Sequence, residues 1–198
     1  QDMWNALDQF GFGRVTGSGF PGEPAGILTN ADHWRPIGQA TMSYGYGLSV
    51  TPLQLAQAYA VLASGGLRRP VSLRKVEAAP EGDRVLDRAV ARDLVTMMEA
   101  VVSDQGTARR ARVMGYRVAG KTGTAWKASE TGGYSTNKYM AVFGGVVPAT
   151  NPRLAAVVII DEPTSGAYYG GEVAAPVFSA VMSGALRLLA IPPDDLQR

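Results

Sequence analysis

The chain has 198 residues, enough for one domain of ordinary size, and its 46% apolar content can furnish a core. A formal net charge of +2 is too small to argue for a nucleic-acid partner, and the basic residues at Arg68, Arg69, Arg74 and Lys75 and at Arg109, Arg110 and Arg112 lack aromatic interleaving, so they read as solvated faces. Without cysteine there is no disulfide, thiolate metal site or cysteine nucleophile, and the single His33 rules out a multi-histidine metal centre; neither a metal nor a cofactor is expected.

The sequence opens on Gln1 with no initiator methionine or signal peptide, and is expected to be a piece of a longer protein. Residues 2–10 predict a short helix. Residues 11–26 are too rich in glycine and proline for regular structure. Further on, Thr51 is placed as an N-cap and Pro52 at the first helical position, with Leu53, Ala56, Tyr59, Ala60 and Leu62 along one apolar face, until Gly65 and Gly66 end the helix. Residues 70–76 alternate and predict a strand. Residues 89–102 carry Leu94, Met97, Met98 and Val101 at helical spacing, the methionines as core filler.

Three strand-like runs follow, over 116–125, 139–147 and 153–161. The last two are separated only by PATNP, a connection short enough to join antiparallel neighbours alone. A helix over 175–189 closes the chain; Ser179, Ser183 and Arg187 interrupt its apolar run and argue for a packed helix over a membrane span. Helices first, then an antiparallel meander packed by a terminal helix, give an α+β fold, with no repeat and no interdomain linker.

The segment that concentrates chemistry is YRVAGKTGTA, residues 116–125. Lys121 supplies a cation, Thr122 and Thr124 supply hydroxyls two residues apart, and Gly120 and Gly123 lack side chains where another chain could approach. Such a set holds an anion, and two chemistries fit it. Gly115 to Thr122 satisfies G-x-x-x-x-G-K-[ST], and AAVVIIDE ends on Asp161 and Glu162, which could serve a magnesium ion, so a P-loop NTPase is one alternative. That mechanism needs a strand before the first glycine and a helix starting at the lysine, and the flanking sequence offers neither. Kept as a strand, the segment turns Thr122 and Thr124 to one side and Lys121 to the other, and an edge of it can present all three to a bound peptide carboxylate.

Taken together, FPGEPAG, GYGLSVTPLQLAQAYAVLASGG, AGKTGTA, NKYMAVFGGVVPA and YYGGEVAAPVFSAVMSGALR resemble the carboxy-terminal part of class B penicillin-binding proteins, of the septal FtsI type, over essentially the whole chain. The resemblance implies the penicillin-binding-protein/β-lactamase-like transpeptidase fold. It also implies a serine D,D-transpeptidase that crosslinks peptidoglycan stem peptides during cell-wall synthesis and cell division, is inhibited by β-lactams and affects cell shape. The whole of 1–198 would be the carboxy-terminal portion of that domain. Lys121 and Thr124 would have catalytic roles, the Thr124 N–H as one half of an oxyanion hole. Thr122, Gly123 and Thr124 would hold the substrate carboxylate, with Tyr46, Tyr139, Tyr168 and Tyr169 near the cleft. The protein would be a periplasmic domain anchored in the inner membrane, with membrane proteins of the division complex as partners.

The family also requires S-x-x-K and S-x-N before K-T-G. Ser72 to Lys75 has the first spacing but falls in the alternating stretch, where positions three apart face opposite ways; Ser135 to Asn137 fits the second but follows the lysine motif, in what reads as a flexible connection. Both are expected to be coincidences, the true nucleophile lying upstream of Gln1, and the chain alone is expected to be inactive. A non-catalytic interaction module is the remaining alternative.

Overall fold

The computed structural model describes residues 1–129 and 132–195. Helix α1 (Asp2–Gln9) leads into the glycine-rich segment, which is irregular as expected. Two helices follow, α2 (Pro36–Met42) and α3 (Pro52–Ala63). Two-residue strands β1 (Leu67–Arg68) and β2 (Asp83–Arg84) pair antiparallel, and α4 (Arg88–Glu99) continues into a 3-10 turn over Ala100–Val102. Strands β3 (Ala119–Ala128), β4 (Tyr134–Val147) and β5 (Leu154–Asp161) form an antiparallel sheet in that order, and α5 (Gly170–Val173) and α6 (Ala175–Leu188) finish the chain.

Helix α3 begins with the N-cap expected from its sequence. The Thr51 hydroxyl accepts from the Gln54 N–H at 3.1 Å and the Gln54 amide oxygen accepts from the Thr51 N–H at 2.8 Å, so two otherwise unpaired donors are satisfied reciprocally. Its buried row is not purely the apolar one. Gln54, Gln57, Ala58 and Val61 are buried, while Tyr59 and Leu62 pack against the sheet. The reason is hydrogen bonding: the Gln54 amide nitrogen donates to the carbonyls of Arg14 and Ala25, each at 2.7 Å, and that of Gln57 to the carbonyl of Arg69 at 2.8 Å. The two glutamines thus anchor irregular backbone that has no ladder of its own.

The sheet is covered on both faces. Phe143, Val147 and Val118 pack with Phe178, Met182 and Leu186 of α6, Phe143 and Phe178 meeting edge to face at 4.9 Å. Ala119 and Val146 pack on the other face with Val95 of α4, Tyr59, Leu62 and Met98. The alternation of these clusters follows the pleat of β3 and β4. Three expectations change. Residues 70–76 form no strand, because Pro70 cannot donate to a ladder; Ser72 instead accepts from the Arg74 N–H and donates to its carbonyl. Met97 is 62% exposed, and Ala91 and Val95 are the buried residues of α4. Ser135 and Asn137 lie within β4 and not in a flexible connection.

Candidate functional site on the outer edge of strand β3

Strand β3 is paired only with β4, so one of its edges faces outward. Which groups line that edge follows from one contact. The Trp126 N–H donates to the Tyr46 hydroxyl at 3.0 Å, away from β4, and alternation then turns the N–H groups of Thr124 and Thr122 outward as well. The side chains alternate between faces in the same way. A Cβ on Gly120 would stand 2.5 Å from the Phe143 ring and 2.6 Å from the Gly144 carbonyl oxygen, which places position 120, and with it Thr122, Thr124 and Trp126, on the α6 side. Gly120 is therefore a glycine for internal packing, where the sequence suggested room for another chain. Gly123 is less confined, since a Cβ there would only touch Val142 at 3.5 Å.

Lys121 leaves the strand on the opposite face, next to its register partner Gly144, against whose backbone Tyr59 packs. Its exposed side chain then folds round the outer edge. The ammonium donates to the Thr122 carbonyl at 3.0 Å and to the Thr122 hydroxyl at 3.3 Å. The lysine and the threonines point to opposite faces at Cβ, as the pleat requires, yet the charge reaches the hydroxyl side. A second hydroxyl joins them: Thr107 Oγ1 lies 3.2 Å from Thr122 Oγ1. The Thr124 hydroxyl accepts from the Gly170 N–H at 3.2 Å. Three hydroxyls, an ammonium and outward N–H groups along one strand edge are chemically able to donate to a carboxylate.

The tyrosines fall into two groups. Tyr46 meets Tyr134 edge on at 4.8 Å and Tyr44 at 6.0 Å, holding its hydroxyl against the strand edge. Tyr139 stacks on Tyr168 at 4.2 Å, and Tyr168 lies 4.5 Å from Tyr169 and donates to its hydroxyl at 3.2 Å. That hydrogen bond pushes the Tyr168 hydroxyl above its ordinary pKa. The structure thus brings Thr122, Gly123, Thr124 and Tyr46 together along one edge, with Tyr139, Tyr168 and Tyr169 as an aromatic group beside it.

Three contributors were not singled out from sequence. Trp126 continues the Thr122, Thr124 alternation, a signal that was present in the pleat. Thr107 and Gly170 come from segments 15 and 46 residues from their partners and carried none.

The phosphate-loop alternative fails on geometry. Lys121 is the third residue of a strand, not the start of a helix, and β5 runs antiparallel to β4. Asp161 and Glu162 are engaged by Lys127 at 2.8 and 2.7 Å; these contacts raise the Lys127 pKa, Asp161 contributing most, and Lys127 lowers that of Glu162. No group of acidic or histidine residues suited to a metal occurs among the described residues. Ser72 sits in a loop turned on its own backbone, and Ser135 donates to Asn137 Oδ1 at 3.0 Å within β4, so neither serine is part of this edge.

Residues 1–183 match the family described as penicillin binding protein transpeptidase domain. Among curated proteins, the peptidoglycan D,D-transpeptidase FtsI of Escherichia coli K12 is 48% identical over 192 residues, 97% of this chain and 32% of that protein. A probable peptidoglycan D,D-transpeptidase, PenA of Neisseria meningitidis serogroup A, is 46% identical over 193 residues, 98% of this chain and 33% of that protein. The chain therefore spans about a third of the length of these relatives. The apo transpeptidase domain of penicillin-binding protein 3 from Burkholderia pseudomallei superposes with a TM-score of 0.91 at 48% identity, over 98% of this chain and 59% of that one. Sequence, fold and the threonine-lysine edge agree, and this chain belongs to the penicillin-binding protein transpeptidase family.

Proposed function

We propose that this chain is the carboxy-terminal portion of a peptidoglycan D,D-transpeptidase domain and supplies its carboxylate-binding strand. The observation that carries the reading is the outer edge of β3, where the Thr122 hydroxyl lies 3.3 Å from Lys121 Nζ and 3.2 Å from the Thr107 hydroxyl and the Thr124 N–H points outward. In this reading a serine from the amino-terminal part of the domain attacks the penultimate D-alanine carbonyl of a stem peptide. Its proton goes to the departing amine, terminal D-alanine leaves, and the amine of a neighbouring stem displaces the serine to close the crosslink. The Thr122 and Thr124 hydroxyls hold and orient the terminal carboxylate by donating to it, Lys121 supplies the positive field, and the Thr124 N–H faces the developing oxyanion. A β-lactam presents a carboxylate and a strained amide at the same spacing and leaves an acyl-enzyme.

Strand β5 supports the domain assignment: its residues are half-buried on both faces, the pattern of a strand inside a sheet, although it is the outermost strand here. The same reading extends to septal cell-wall synthesis in the periplasm by a membrane-anchored enzyme of the division complex; among the described residues no helix is long and apolar enough to cross a membrane. The test is the rate of acylation by a fluorescent penicillin in the complete protein. Thr122→Val with Thr124→Val lowers the second-order rate about 100-fold; an unchanged rate would show that this edge does not hold the carboxylate.

A further inference from the structure

Beyond Thr124 the strand changes character. Trp126, two residues on and on the same face, is 50% exposed. Its register partner across the ladder is Tyr139, which stacks on Tyr168, so aromatic surface begins roughly 7 Å along the strand from the second threonine. The backbone changes at the same place: the Tyr46 hydroxyl takes the outward N–H of Trp126. An extended ligand pairing with the edge of β3 finds an open donor at Thr124 and an occupied one at Trp126. Main-chain donation to the ligand stops there, and beyond it the first large side chain on that face is the indole. Lys127 does not put charge into this surface, since it leaves on the other face and is neutralised by Asp161 and Glu162.

Resting on the carboxylate reading above, we infer that Trp126 is a specificity-determining residue that selects ligands carrying an uncharged planar or aromatic group on the acyl side of the scissile amide, the Tyr46 hydroxyl ending the pairing edge so that this group is laid against the indole. The carboxylate would fix one end of the ligand at Thr122 and Thr124, and the indole would read a group one strand repeat away. Tyr139 stands opposite Trp126 in the ladder and on the same face, and an indole has few rotatable bonds, so seating a ligand on it costs little in side-chain ordering.

The experiment uses the complete protein and two penicillins with the same nucleus and amide, one with an arylacetyl side chain and one with an acetyl side chain. Their acylation rates are measured by competition with a fluorescent penicillin. Trp126→Ala is expected to shrink the ratio of the aryl rate to the acetyl rate about five- to tenfold, while Trp126→Phe keeps most of it. Thr122→Val is expected to slow both compounds and leave the ratio where it was. A ratio that Trp126→Ala does not move, or two rates that fall together in it, would overturn the selectivity role while leaving the carboxylate strand intact. If Thr122→Val slows neither compound, the underlying carboxylate reading fails as well, whatever Trp126 does.

Discussion

The two outer edges of one three-stranded sheet have opposite characters. At β3 the edge carries Gly120, Lys121, Thr122, Gly123 and Thr124, with a cation folded over it and a tyrosine hydroxyl ending it at Trp126. At β5 the edge belongs to LAAVVIID, whose first seven residues are apolar and half-buried, with no proline, glycine or internal charge to discourage pairing. The polar edge is the one proposed to bind a short extended ligand; the apolar edge has the composition of a strand meant to be covered. An edge is thus defined by its side chains and caps as much as by a missing neighbour.

The paired threonine replacement proposed above is the largest expected break in this comparison, because it removes both hydroxyls and leaves the lysine. The next acts behind the polar edge. A Cβ on Gly144 would stand 2.1 Å from the Tyr59 ring, so Gly144→Ala forces the ring or the strand to move, and is expected to cost about 2–3 kcal/mol, read as a lowered midpoint in urea unfolding. The same tyrosine gives a pH signature. Burial pushes the Tyr59 hydroxyl up from 10.0 to about 12, so the folded state favours its neutral form. Its contribution is complete below pH 10, where both states are neutral, and is lost as pH rises from about 10 to about 12 while the unfolded chain ionises first. The loss is on the order of 2 kcal/mol, and Tyr59→Phe should remove that part of the alkaline slope in stability measured against pH. The smallest effect sharpens the comparison directly. In hydrogen exchange of the chain by itself, alternate amides of β5 should exchange faster than those bonded to β4, and in the complete protein they should become protected. Equal protection in both would show that the β5 edge is already covered.

Much of the architecture was legible because local chemistry and packing agreed. Thr51, Gln54 and Pro52 specify a helix start in four residues, and PATNP leaves β4 and β5 no choice but a hairpin. Where they disagreed, local patterns misled. The alternation in 70–76 has no partner strand and Pro70 removes a donor, so it stays a loop. Helix α2 escaped notice because its seven residues bury only Met42 and show no long apolar period. On α3, the buried glutamines are invisible to an apolar count, since what buries them is a set of carbonyls from loops 29 and 40 residues away.

By itself the sequence determined the order of groups along β3: the Lys121, Thr122, Gly123 and Thr124 run fixes which groups alternate, and the pleat turns that order into two faces. Only the tertiary structure decided what those faces meet. It placed Thr107 against Thr122 and Gly170 against Thr124, and it folded the Lys121 ammonium round the edge. It also showed that Gly120 is required by Phe143, and it ended the pairing edge with Tyr46, 80 residues from Trp126. The division has one cause. Strand periodicity is local and can be read from neighbouring letters, whereas hydroxyl-to-hydroxyl contacts and edge caps join distant segments whose approach depends on how the sheet packs between α6 and the pair α3 and α4.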